Sequence, residues 1–140
     1  MFGKKKEIND KINEKDVGLA KDYFEMLKNA TGYENHCHDD FVNTLDKKYL
    51  KEWEQARIMR SELMDVCFKL FNVTPEDESW CKMKHISLIA MGCQENAVRL
   101  IQSELYDSIN ILAEKHKECY IIFLKILGVN EDNISNESSA

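Results

Sequence analysis

His36-Cys37-His38-Asp39-Asp40 gathers good zinc and copper ligands into five consecutive residues. Imidazoles and thiolates suit those ions, and His38 with Asp39 would suit a harder one. Two imidazoles beside a helix N-cap also read simply as solvated loop residues. A second set emerges only when helices are folded on one another. With turns near residues 74 and 104, Glu52, Cys93, His116 and Cys119 fall at one height of a helical bundle, with Gln94 beside them. A carboxylate, an imidazole and two thiols in one layer could hold zinc or another transition metal. The more economical reading of that layer is a polar contact that sets helix register. In it Glu52 is satisfied by Arg99 and His116 is neutral and hydrogen-bonded.

Other ligand patterns fall short. Cys81-x-x-x-His85 and His116-x-x-Cys119 each place two ligands on one helical face. Antiparallel register, however, sets residues 81–85 opposite 124–128, so the two pairs do not meet in a Cys2His2 site and buried cysteine is the default. A di-iron bundle needs Glu-x-x-His on two helices, and the chain contains none.

Glu62-Leu63-Met64-Asp65-Val66 resembles the Glu-x-x-Asp helix of the all-α nucleotide pyrophosphatases, which pair it with a Glu-x-x-Glu helix to hold magnesium. The resemblance implies a magnesium-dependent hydrolase with Glu62 and Asp65 as ligands. No Glu-x-x-Glu lies upstream, and Asp22-x-x-Glu25 is the nearest approach. A fold about residue 35 sets that pair level with residues 45–48, away from Glu62. Glu62 and Asp65 also flank the apolar seam of their helix, as a solvated face does.

Trp53, Arg57 and Arg60 share one face of the same helix. Trp and Arg dominate interface hot spots, so these three are a candidate interaction surface. They would equally suit an indole packed beneath the first helix with its arginines reaching to water. No nucleophile elbow, Ser/His/Asp order, phosphate-binding loop or dinucleotide fingerprint is present, which favours a non-catalytic protein.

The elements that must position these residues read as helices throughout. One proline and five glycines in 140 residues are too few for a sandwich or barrel. A net charge of -6 lacks the basic footprint of a nucleic-acid binder. No apolar run approaches the roughly 18 residues of a membrane span. Basic residues at 4–6 precede no apolar segment, and the five cysteines form no CxxC pair. A cytoplasmic protein with reduced thiols is therefore expected.

Periodicity predicts a first helix over 16–30, ended by Gly32, and a second from about residue 40 to 73. The second carries core-type positions at 42, 49, 56, 63, 70 and at 45, 52, 59, 66, 73, with Glu52 the exception. Thr74-Pro75-Glu76-Asp77-Glu78 restarts the chain, with Thr74 as N-cap and Pro75 at the first helical position. A turn is expected within Ser103–Ser108, because an unbroken helix from Pro75 to Leu127 would span roughly 80 Å.

The fold class is therefore all-α: an antiparallel four-helix bundle with a long central hairpin of helices 2 and 3. It is expected as one domain over 1–140, with residues 1–9 and 129–140 as flexible tails. The expected function is non-catalytic protein–protein interaction, as an adaptor, structural or regulatory protein. A homodimer is expected because the long central pair outruns its neighbours, and no cofactor, nucleic acid or membrane is called for. Metal or redox chemistry at the ligand sets above is the alternative, and the magnesium hydrolase is the third.

Overall fold

The computed structural model describes residues 16–129. It is all-helical, with α1 (Asp16–Thr44), α2 (Lys47–Leu70), α3 (Asp77–Ile101) and α4 (Tyr106–Ile126), and no strand among the described residues. None of these helices is long and apolar enough to cross a membrane. The tails expected over 1–9 and 130–140 lie outside the described residues. Val129, also assigned to a tail, is instead buried against the core.

The four-helix bundle is as expected, but its long element and its central pairing are not. The first helix does not stop at Gly32; it runs on to Thr44, and the second begins only at Lys47. Gly32 serves close approach, not termination: a Cβ there would lie 3.2 Å from Met91 Cγ of α3. The real break is Leu45-Asp46. Leu45 takes a left-handed φ of 55°, and the Asp46 side chain accepts from the Lys48 amide as the N-cap of α2.

This break shifts the seam of α2. Positions 49, 56, 63 and 70 do line the core side, but their partners are Trp53, Arg60 and Cys67, four residues on instead of three. Of the expected second row, Leu45, Glu52, Met59 and Val66 face solvent, and only Val73 packs against the core. Glu52 ceases to be the exception in the seam, and Arg60 becomes it.

The close pairs are α1 with α2 and α3 with α4, joined by α1 packing on α3 and more lightly on α4. The expected hairpin of helices 2 and 3 is replaced by a corner where the two meet chiefly at Phe68 and Trp80, whose rings stack at 5.7 Å. The core gathers at this end of the bundle. Phe24 and Leu27 of α1, Met64 and Phe68 of α2, Met83 of α3 and Phe123 and Leu124 of α4 are its largest buried members. The turn at 102–105 and the restart before Asp77 fall where expected, although α3 takes Glu76 as its N-cap instead of Thr74. Glu104 and Gly128 adopt left-handed φ, and the amides of Leu105 and Val129 return to the carbonyls of Leu100 and Leu124.

Candidate functional site

The polar layer exists, but its centre is a residue that apolar periodicity passes over. Lys28 lies on the inner stripe of α1 with Ala20, Phe24 and Thr31, and is 1% exposed. Its ammonium reaches Glu25 Oε2 at 2.8 Å, Gln94 Oε1 of α3 at 2.9 Å and His116 Nε2 of α4 at 2.8 Å. It also sits 5.2 Å from the centre of the Phe24 ring. Three N–H groups meet three acceptors, which is what a buried ammonium requires. Because an ammonium only donates, His116 accepts at Nε2 and carries its proton on Nδ1. Burial and the Lys28 charge hold the His116 pKa below its ordinary value, against a weaker upward pull from Glu25.

Cys93 and Cys119 are buried next to this layer, and each is a free thiol. Burial, then the neighbouring Cys93, pushes the Cys119 thiol up. Gln94, His116, Cys93 and Cys119 thus share a height as the sequence suggested. Glu52 does not join them. It is exposed on α2, where its charge reaches Tyr33 and Cys37 of α1. Lys28 occupies the Nε2 nitrogen of His116. A lysine at spacing 20-24-28-31 within an apolar stripe was the available signal.

The His36–Asp40 stretch is not a loop. It lies inside α1, where consecutive alternate residues point apart, so His36 and His38 diverge. His36 approaches Asp40 at 3.7 Å in the open. His38 contacts Asp39 at 3.2 Å and sets its ring edge-on to Trp53 at 4.8 Å. Among the described residues, no three His, Cys, Asp or Glu groups converge where a metal ion could be held. Glu62 and Asp65 are exposed, as are Cys81 and His85, while Glu25 is bound to Lys28.

The Trp53, Arg57, Arg60 face is split. Arg57 is exposed, whereas Trp53 is half-buried against Phe41 and His38. Arg60 is 5% exposed and grips Glu34 of α1 with two bonds, Nε to Oε2 at 2.8 Å and Nη2 to Oε1 at 3.2 Å. A planar guanidinium that satisfies both carboxylate oxygens is the arrangement a buried arginine tolerates.

Past the Lys28 layer the packing changes. From Gln94 to Glu118 no residue of α3, the turn or α4 is buried. This half of the hairpin still carries Val98, Ile101, Leu105, Tyr106 and Ile111, all more than half exposed. The 45–46 break, where Leu45 is 74% exposed, is not at this end: α1 meets Gln94 at Lys28 and Met91 at Gly32, and by Glu34 to His38 it lies beside Lys84, His85 and Leu88. No protein-family model, curated protein or solved structure matches this chain.

Proposed function

We propose that this is a non-catalytic helical-bundle protein that acts through protein–protein contact, first with a second copy of itself. The observation that supports it is the apolar end of the bundle, where Val98, Ile101, Leu105 and Tyr106 stand uncovered on a hairpin half with no buried residue. Single exposed apolar residues are ordinary, but a cluster at one end of a molecule is an interaction surface by default.

Solution mass by light scattering, across a concentration series, tests the reading. The expected result is a dimer that Ile101→Asp with Leu105→Asp reduces to a monomer. A monomer at every concentration removes self-association. The reading needs no metal, so an equivalent of zinc, iron or copper that survives dialysis would overturn it in favour of metal chemistry.

A further inference from the structure

Consecutive helices α2 and α3 part beyond the Phe68–Trp80 corner, and the gap between them is bridged by α1. It leaves a groove of about 230 Å³ bordered by side chains of all three helices. Trp53 of α2 forms one wall, Lys84, His85 and Leu88 of α3 the other, and Glu34 and Asn35 of α1 contribute to the base.

The groove holds a lysine, and among the described residues Glu34 is the only carboxylate that lines it. Lys84 is half-buried, and neither its ammonium nor the Trp53 indole N–H has a hydrogen-bond or ion-pair partner among the described residues. Both oxygens of Glu34, the carboxylate at the base, are taken by Arg60. An unpaired ammonium beside an indole and a leucine is poorly solvated, and an oxyanion is what satisfies it. The volume lies below the roughly 300 Å³ of drug-sized sites, which suits a body of about one ring.

We propose that the groove between Trp53 and Lys84 binds a small molecule bearing a carboxylate or phosphate on a ring-sized apolar body. The oxyanion meets Lys84 and His85, and the ring lies against Trp53 and Leu88. This site is separate from the apolar end of the bundle and does not depend on self-association.

The test uses phenyl phosphate, benzoate and inorganic phosphate as probes, by calorimetry on the full chain. Trp53 fluorescence in a Trp80→Phe background gives a second readout. Saturable binding of a ring-bearing probe, tighter than inorganic phosphate, is expected, and whichever of the two binds better identifies the head group. Lys84→Gln should weaken it roughly tenfold, while Lys82→Gln, whose lysine is engaged with Glu78, should leave it unchanged. No saturable signal with either ring-bearing probe, or equal effects of the two substitutions, overturns the proposal.

Discussion

Lys28 Nζ of α1 lies 2.8 Å from His116 Nε2 of α4, residues 88 positions apart in the chain. The contact holds only while one of the two groups is neutral. Two cations at that separation, on a lysine already closed off from water, would repel across the α1–α4 interface.

Stability should therefore depend on pH in a definite direction. The His116 pKa lies below its ordinary 6.5 because of burial first and Lys28 second. The unfolded chain takes up the proton before the folded one does. The stabilisation is complete above about pH 6.5 and is lost as pH falls through the lower, folded-state value. Lys21 and Lys117 also line a small cavity with His116, and Glu25 is the one acidic residue among the described residues that line it. Urea midpoints measured from neutral pH down to about pH 5 should fall, and His116→Gln should flatten that slope. An unchanged slope in the variant would assign the pH dependence elsewhere.

The two buried cations should respond oppositely to loss of charge. Glu34→Ala leaves the Arg60 guanidinium buried without its carboxylate and should cost about 3 kcal/mol. Lys28→Met removes the buried charge itself, and its former partners Glu25 and Gln94 are open enough to water to be solvated. That substitution should cost less than about 1 kcal/mol or stabilise the protein. Denaturant unfolding of both variants decides it, and a larger loss for Lys28→Met would show the lysine network to be the stronger tie.

Two helical glycines should behave differently. Nothing lies within 4 Å of a Cβ built on Gly92, so Gly92→Ala should gain about 1 kcal/mol from helix propensity. Gly32→Ala gains the same propensity but must displace Met91, and should come out near neutral. A thermal-unfolding comparison distinguishes the two, and equal gains would mean that Met91 moves aside freely.

Thiol chemistry should single out Cys81. It is exposed, whereas Cys37, Cys67, Cys93 and Cys119 are buried, and burial pushes the Cys67 thiol up to about 12. One of the five thiols should be modified rapidly by an aromatic disulfide reagent in the native protein, with Cys67 slowest. Mass mapping of partly labelled protein checks the order, and early labelling of Cys67 would reveal local opening of the core.

Helix type, the turn at 102–105, the restart before α3 and the common height of Cys93, Gln94, His116 and Cys119 were all legible in the residues. Local rules govern these: apolar spacing, capping residues and the counting of turns along antiparallel helices. What only the tertiary structure decided is which of two overlapping stripes each helix turns inward. In α2 Met59 and Val66 are as apolar as a core asks, yet they face water while Arg60 and Cys67 are buried. Glu34, far away in sequence, makes Arg60 bearable there, just as Gln94 and His116 do for Lys28. Gly32 likewise reads as a stop until Met91 lies against it. Local spacing ranks side chains by their cost in isolation, and a buried charge is costly only until a distant partner satisfies it.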